Sequence, residues 1–193
     1  MILLVILDLS AAFDTIDHSQ LLNRLQTQCG IIGNALAWFH SHLKDRKQSV
    51  KINNTQSKPT ILKYGVPQGS VLGPILFTLY TTPISYIVSK YKTLNHHLYA
   101  DDTQLYLTLT PETANCAIPE LQSCLDDIQA WMSDSKLKLN PDKTESIVLG
   151  SKYKLKTIKN LFPISILGNK LYPSSGIWVL YLTQRSSLIW PSQ

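Results

Sequence analysis

Residues Leu98–Tyr106 read LYADDTQLY, and this stretch decides the fold. In the run from Thr103 to Leu109, every second residue from Leu105 onward is leucine, which is the pattern of a strand that buries one face. Because side chains alternate across a strand, a buried face would reject one of the adjacent acids Asp101 and Asp102. A tight hairpin with both acids at its tip avoids this cost. The stretch therefore predicts an antiparallel pair of strands.

Two interpretations of the acidic pair are open at this point. Aspartate is a common turn residue, so Asp101 and Asp102 can simply close an Asx-type turn between the strands. Two ionised carboxylates side by side also repel each other, and a divalent metal ion would remove that repulsion. On the pair alone, the plain turn is the simpler interpretation.

The composition of the 193-residue chain predicts one globular core, since 44% of its residues are hydrophobic. Its three cysteines show no CxxC spacing, which favours reduced thiols over disulfides or a zinc site and predicts an intracellular protein, nuclear or cytoplasmic.

The opening run MILLVIL has no basic residue before it and ends at Asp8, so it predicts a buried core strand and not a signal peptide. No run reaches the roughly 18 apolar residues of a membrane span, and no membrane partner is expected.

The formal charge of +5 is unevenly distributed along the chain. Asp8, Asp14 and Asp17 precede two basic stretches. The basic residues are Lys44, Arg46, Lys47, Lys51, Lys58 and Lys63, followed by Lys136, Lys138, Lys143, Lys152, Lys154, Lys156 and Lys159. Acidic centres flanked by basic stretches are typical of a protein that holds a polyanionic substrate, although solvated surface lysines give the same pattern.

Apolar periodicity predicts helices between short strands. A helix capped by Ser19 is expected to stop at Gly30, and a second helix is expected over Gly33–Leu43. Further helices are expected over Ile75–Ser89 and from near Pro119 onward. The strand predictions are a basic hairpin that turns at Asn53-Asn54, a strand over Ser146–Leu149, and a hairpin over residues 163–172 that turns at Gly168-Asn169.

A second unusual stretch, Gly65–Pro74, reads GVPQGSVLGP. Its glycines and prolines predict a constrained loop whose backbone can approach a ligand. Ser70 or the loop amides are expected to cap the apolar helix that follows, and a helix N-terminus of this kind favours phosphate. A plain turn explains the glycines equally well.

Four motifs in this order resemble one protein family. They are DLSAAFD at Asp8–Asp14, GVPQGSVLGP at Gly65–Pro74, YADD at Tyr99–Asp102 and LNPDKTE at Leu139–Glu145. Together they resemble the palm of the reverse transcriptase of LINE-type (non-LTR) retrotransposons. The resemblance implies an α/β (α+β) fold, with a palm-like antiparallel sheet backed by helices and with incomplete fingers and thumb. It also favours the metal-site interpretation of the acidic hairpin over the plain turn.

The activity implied by the resemblance is RNA-directed DNA polymerisation, a nucleotidyl transfer with two Mg²⁺ ions, for which Mn²⁺ is an alternative. Asp8, Asp101 and Asp102 match the family's metal ligands and catalytic acids. Lys143 matches a catalytic lysine, a candidate proton donor to the departing pyrophosphate. The implied partners are an RNA template, a DNA primer and deoxynucleoside triphosphates.

Three further residues match substrate-binding positions of the family. Phe13 matches the aromatic gate whose ring excludes a ribose 2′-hydroxyl, and a core aromatic is the alternative interpretation. Gln68 and Gly69 match the loop that packs on the nascent base pair and the template. Asp14 and Asp17 are expected to be capping or surface residues and not metal ligands.

Both ends depart from the family pattern. The first strand has no fingers segment before it, which implies a cut chain. After Ser175 the family continues toward an Asn-Leu-Gly-Val stretch, whereas this chain reads GIWVLYLTQ over Gly176–Gln184. With one choice of synonymous codons, a shifted frame through these residues reads Asn-Leu-Gly-Val-Ile-Phe-Asp-Ser. We therefore expect a partial reverse transcriptase palm over residues 1–175 and an out-of-frame tail over residues 176–193.

Three functions follow as expectations. The first is a reverse transcriptase whose activity is impaired by truncation. The second is a catalytically inert retroelement remnant that at most binds nucleic acid through its lysines. The third is a palm-type nucleotide cyclase, against which the Pro67-Gln68-Gly69 loop and the Lys143 motif argue.

Overall fold

The computed structural model describes residues 1–67, 69–110, 112–150, 164–166 and 169–171. Its helices are α1 (His18–Thr27), α2 (Gly33–Leu43), α3 (Leu72–Thr81), α4 (Pro83–Val88) and α5 (Ala114–Asp134). Its strands are β1 (Ile2–Leu7), β2 (Leu9–Ser10), β3 (Lys47–Gln48), β4 (Lys51–Ile52), β5 (Thr55–Gln56), β6 (Thr60–Ile61), β7 (Leu94–Tyr99), β8 (Asp102–Thr108), β9 (Lys138–Leu139), β10 (Glu145–Leu149), β11 (Ile164–Ile166) and β12 (Asn169–Leu171).

Strands β10, β1, β8 and β7 form, in this order, an antiparallel sheet with β1 in its interior. The Ile, Leu and Val residues of β1 favour a pleated surface that packs on its neighbours. Its side chains alternate in burial, with Leu3, Val5 and Leu7 fully buried. The predicted N-terminal strand is confirmed, but it buries one face only, since the core lies on one side of the sheet.

The core lies between that buried face and the helices. Helix residues three and four positions apart share a face, so each amphipathic helix buries one stripe. On α5 the buried stripe contains Leu121, Cys124, Leu125, Ile128 and Met132. Helix α3 adds Leu76, Phe77 and Tyr80, and α1 adds Leu21 and Leu25. The predicted antiparallel sheet backed by helices is confirmed.

Strands β7 and β8 form the predicted acidic hairpin. Tyr99 pairs with Asp102, so the turn contains only Ala100 and Asp101. On β8 the leucines face the core, and Leu105 and Leu107 are fully buried. The alternating pattern of the sequence therefore predicted both the strand and its buried face.

The basic segment forms two nested strand pairs, β3 with β6 and β4 with β5. The turn between β4 and β5 is Asn53-Asn54, as predicted. Each of these strands is only two residues long, and every residue from Lys47 to Ile61 is exposed. No apolar face holds a longer ladder together here.

Helix α1 begins at His18, and the prediction that Ser19 is its cap is wrong. Asp17 is the N-cap: its Oδ1 accepts hydrogen bonds from Gln20 N at 3.0 Å and from Ser19 Oγ at 2.5 Å. Burial on its own raises the pKa of the Asp17 carboxyl, but these hydrogen bonds outweigh burial and hold the pKa below its ordinary value. A carboxylate at a helix N-terminus also interacts favourably with the helix dipole, which a hydroxyl does not. Past the helix end, Gly30 has a φ of +67°, in line with the predicted stop.

Two prolines act differently from the predictions. The expected single helix over Ile75–Ser89 is two helices, because Pro83 has no N–H to continue α3 and instead begins α4. Helix α5 begins at Ala114, before the expected start, and Pro119 lies inside its second turn. The helix tolerates this proline because the buried stripe on either side holds it in place.

Strands β11 and β12 form the predicted C-terminal hairpin, with Ile166 paired to Asn169. The hairpin contacts α5 through Gln122, whose side chain bonds both the N–H and the carbonyl of Ser165 at 2.9 and 2.8 Å. Residues 167 and 168, and the proposed tail over residues 176–193, lie outside the described residues. In the part of the chain that the structure describes, no helix is long and apolar enough to cross a membrane.

Candidate active site

The acidic residues lie at the end of the sheet where β1 stops and the β7–β8 hairpin turns. Leu7, the last residue of β1, pairs with Thr103, so Asp8, which follows Leu7, and Asp102, which precedes Thr103, lie at the same end of two adjacent strands. Leu7 and Thr103 are buried, so alternation puts Asp8 and Asp102 on the opposite, outer face of the sheet. Two of the three predicted acids therefore lie on one face of adjacent strands.

Asp101 lies in the turn itself, directly after Ala100. Ala100 has a φ of 52°, a left-handed conformation that costs an alanine about 1–2 kcal/mol. Ala11, shortly after Asp8, also has a φ of 52°. Strained backbone of this kind concentrates at functional sites. Sequence reasoning missed both positions, because alanine carries no turn signal.

The segment between β9 and β10 holds the backbone of Asp8. Asn140 N donates to the Asp8 carbonyl at 2.9 Å, and Thr144 Oγ1 lies 3.5 Å from Asp8 N. The turn closes on itself, since the Asn140 carbonyl accepts from Thr144 Oγ1 at 2.8 Å. Lys143 lies in this turn with an exposed side chain. The structure thus brings the LNPDKTE motif to the strand end that carries Asp8.

The acids fit a hard divalent cation through their chemistry and their backbone positions. Carboxylate oxygens are the donors that Mg²⁺ and Mn²⁺ prefer, whereas zinc prefers histidine and cysteine. A cation between Asp8 and Asp102 would offset the repulsion of two like charges on one face. Within the described residues, no three His, Cys, Asp or Glu side chains are grouped closely enough to hold a metal ion. The acids therefore suit a divalent metal ion by their chemistry and by their places at the end of the sheet, and not as a preformed set of ligands.

Phe13 lies beside the acidic end and packs on helix α3. Its ring centroid is 4.8 Å from that of Phe77, with the two planes tilted by 32°. Phe77 is buried, whereas Phe13 keeps part of its surface exposed. The ring is thus anchored in the core and still open on one side, which both the gate and the core interpretation allow.

The start of the glycine-rich loop is docked on the segment that contains Phe13. Val66 N donates to the Phe13 carbonyl at 2.9 Å, and Gly65 N donates to the Ile16 carbonyl at 2.8 Å. His18 Nε2 lies 2.7 Å from the Gly65 carbonyl, and an isolated bridge joins Asp17 to Tyr64. Sequence reasoning did not foresee this docking, because the partners are almost fifty residues apart.

The rest of the loop leads into helix α3. Ser70 Oγ accepts from Gly73 N at 2.9 Å and donates to the Pro67 carbonyl at 2.8 Å, so the predicted capping by Ser70 is confirmed. Gly69 is exposed, has a φ of +76°, and has no atom within 4 Å of where a Cβ would lie. Gln68 lies outside the described residues.

An open cleft of about 710 Å³ separates the basic hairpin from this loop, and its lining includes Arg46, Lys47 and Tyr64. Arg46 Nη1 reaches the Gly65 carbonyl at 3.4 Å. Tyr64 is 53% exposed, so its ring is available to a ligand in the cleft. Basic groups beside an exposed aromatic ring are typical of surfaces that bind single-stranded nucleic acid.

Curated relatives of the chain are polymerases of mobile elements. The chain is 31% identical over 165 residues to a probable RNA-directed DNA polymerase from transposon BS of Drosophila melanogaster, covering 83% of this chain and 17% of that protein. It is 28% identical over 156 residues to the RNA-directed DNA polymerase from mobile element jockey of the same species, covering 76% of this chain and 16% of the relative. It is 27% identical over 166 residues to a retrovirus-related Pol polyprotein from the type-1 retrotransposable element R2 of Nasonia vitripennis, covering 81% and 15%. The chain thus spans about a sixth of the length of these relatives.

Among solved structures, apo telomerase from Candida tropicalis matches with a TM-score of 0.58 at 16% identity, covering 76% of this chain and 30% of that one. At this identity the likeness concerns the fold alone. The family described as reverse transcriptase (RNA-dependent DNA polymerase) matches residues 2–171. The chain therefore belongs to the reverse transcriptase family, in the group carried by non-LTR retrotransposons.

Proposed function

We propose that the described residues form part of a polymerase palm that carries out RNA-directed DNA synthesis by metal-dependent nucleotidyl transfer. The observation that carries the proposal is the strand register, which brings Asp8 and Asp102 to the same end of two adjacent strands, with Asp101 in the turn beside them. The family match favours this polymerase over the nucleotide cyclase. The palm is assigned to residues 1–175 and the out-of-frame tail to residues 176–193.

Asp8, Asp101 and Asp102 are the proposed metal ligands. Enzymes of this family generally use divalent metal ions, and two Mg²⁺ ions are proposed here, with Mn²⁺ as a substitute. When bound, such ions lower the pKa of a primer 3′-hydroxyl and neutralise charge on the triphosphate. The carboxylates bind and space the ions, and the hydrogen bonds between Asn140, Thr144 and the Asp8 backbone keep that strand end in place.

The other matched residues would act on the substrates. Lys143 is proposed to donate a proton to the departing pyrophosphate from its exposed place in the turn beside Asp8. Phe13 is proposed to select deoxynucleotides by excluding the 2′-hydroxyl, with its ring held against Phe77. Gln68 and Gly69 are proposed to contact the nascent base pair, and Gly69 would allow close approach because it has no side chain.

The proposed partners are an RNA template, a DNA primer and deoxynucleoside triphosphates. The exposed cations of the basic hairpin support a polyanionic partner, since Lys47, Lys51 and Lys58 all lie on the surface. A phosphate backbone there would lead toward the glycine-rich loop through the cleft beside Arg46.

Primer extension on an RNA template with Mg²⁺ tests the proposal. Asp8→Asn and Asp101→Asn are each expected to lower incorporation by about 100- to 1,000-fold, the range for loss of one charge-stabilising group. Asp126→Asn is the matched control, because it removes a carboxylate from the exposed face of α5 and should leave incorporation unchanged. Incorporation that survives both site substitutions would overturn the assignment of the acids.

The second candidate is an inert remnant that binds nucleic acid through the basic hairpin. The full exposure of residues 47–61 favours it, because binding there needs no catalytic centre. Salt-dependent RNA binding without incorporation would support this candidate and contradict the polymerase. The slope of log affinity against log salt should fall by about 0.7–0.9 for each phosphate-contacting lysine removed.

A further inference from the structure

Backbone hydrogen bonds join the turn at Phe13 and the residues just before α1 to the Tyr64–Val66 segment, and an isolated bridge pairs Asp17 with Tyr64. The hydrogen bonds from Gly65 N and Val66 N run to the Ile16 and Phe13 carbonyls at 2.8 and 2.9 Å. We call this pairing the clasp. It joins the segment after Asp8 to the loop that leads into α3.

The backbone of Gly65 lies so close to that of Phe13 and Asp14 that a side chain on Gly65 would be crowded. A Cβ on Gly65 would lie 3.1 Å from three atoms, the Phe13 carbonyl oxygen and the Cα and carbonyl oxygen of Asp14. Gly65 also has a φ of +87°, which side chains other than glycine rarely allow. Because Gly65 has no side chain of its own, its position depends on the hydrogen bonds of its N–H and its carbonyl.

His18 supplies the short hydrogen bond to that carbonyl. A carbonyl oxygen only accepts, so Nε2 carries the proton and donates across 2.7 Å. His18 is the first residue of α1, and this helix is anchored in the core by the fully buried Leu21 and Leu25. The second donor, Arg46, lies farther away at 3.4 Å and belongs to the exposed basic hairpin. His18 is therefore the donor with the rigid support.

We propose that His18 is a positioning residue of the candidate active site, which holds the Gly65 carbonyl and thereby fixes the glycine-rich loop against the Phe13 segment. This role rests on the proposed polymerase function, because the loop and Phe13 are its proposed substrate contacts. His18 touches neither the acids nor the substrate in this role. It acts through Gly65, and the clasp carries its effect to Phe13 through the Val66 N–H bond.

Hydrogen–deuterium exchange on the full chain tests the clasp without requiring activity. In His18→Ala the amides of Gly65 and Val66 are expected to exchange about 5- to 10-fold faster, the effect of losing one supporting hydrogen bond. His18→Gln retains an N–H donor at a similar reach and is expected to restore slow exchange. His40→Ala is the matched control, since His40 is an exposed histidine on α2. Unchanged exchange in a folded His18→Ala protein would overturn the proposal.

Nucleotide selection separates positioning from mere folding. In primer extension, His18→Ala is expected to raise the KM for deoxynucleotides several-fold more than it lowers kcat, and to raise ribonucleotide incorporation by a similar factor. His18→Gln is expected to recover most of both effects. Equal discrimination in His18→Ala and the unsubstituted chain would overturn the positioning role. No incorporation by the unsubstituted chain would instead overturn the polymerase function, and amide exchange would still decide whether His18 holds the loop.

Discussion

The acidic hairpin and the basic hairpin turn in the same way with different residues. Each has a two-residue turn whose first residue has a positive φ, 52° at Ala100 and 53° at Asn53. Asparagine adopts this conformation readily, whereas alanine pays for it. The basic turn is therefore made by suitable turn chemistry. The acidic turn instead has an alanine at the positive φ, next to two adjacent aspartates.

What differs between the two hairpins is their support. Strand β8 places Leu105 and Leu107 fully inside the core, next to the interior strand β1. The strands of the basic hairpin are exposed along their whole length, and Ile52 is 68% exposed. A strained turn survives only where surrounding structure over-determines it. The core beneath β8 therefore makes the acidic turn possible.

The largest expected effect comes from removing that support. Leu105→Ala should destabilise the protein by about 2–5 kcal/mol, since it deletes a fully buried side chain and leaves a cavity. Ile52→Ala, the matched change in the basic hairpin, should cost less than about 0.5 kcal/mol. Urea unfolding measures both. Similar losses would show that the basic hairpin has a core of its own and would remove the contrast.

Sequence patterns predict the secondary-structure elements that depend on residues close together in the chain. The alternation in β8, the helical stripe of α5 and the Asn53-Asn54 turn were all predictable, because each depends on neighbours in sequence. The cap of α1 was assigned wrongly because Asp17 and Ser19 both suit the position and differ only in charge. Local sequence predicts a helix start near Pro119, but packing against the core, which local sequence does not reveal, allows this proline inside α5.

The residues of the candidate site come from motif resemblance and stay a prediction, whereas their places in the fold come from the structure. The strand register puts two of the predicted acids, Asp8 and Asp102, at the same end of adjacent strands. The contact between His18 and Gly65 escaped prediction, because it joins segments distant in sequence and depends on how α1 packs. The strain at Ala100 escaped too, since only the closed hairpin forces that φ.

Replacing the positive-φ residue of each turn should give effects of opposite sign. Ala100→Gly is expected to stabilise the protein by up to about 1 kcal/mol, because relief of the positive φ exceeds the entropic cost of glycine. Asn53→Ala is expected to destabilise its hairpin by up to about 1 kcal/mol, because alanine would then carry the strain. Unfolding midpoints measure the first change, and amide exchange of β4 and β5 measures the second. Stabilisation by both substitutions would contradict the account of the turns.

The smallest expected effect is a chemical one, in the core that supports β8. Burial raises the pKa of the Cys124 thiol to about 12, and the charges of Asp127 and Glu120 add to this effect, whereas Cys29 and Cys116 are exposed. A thiol reagent at pH 8 should therefore react with two thiols quickly and with Cys124 only when the core opens.

Substitutions in the two hairpins should change the reaction rate of the Cys124 thiol differently. Leu105→Ala should speed its reaction in proportion to the lost stability, whereas Ile52→Ala should leave the rate unchanged. The contribution of Cys124 to stability has a definite sign: its folded pKa lies above the unfolded value of about 8.5, so this contribution is constant below that pH and is lost as pH rises above it. If Cys124 reacted as fast as Cys29 and Cys116 at pH 8, α5 would not cover the sheet. The acidic turn would then have no more support from the core than the basic turn.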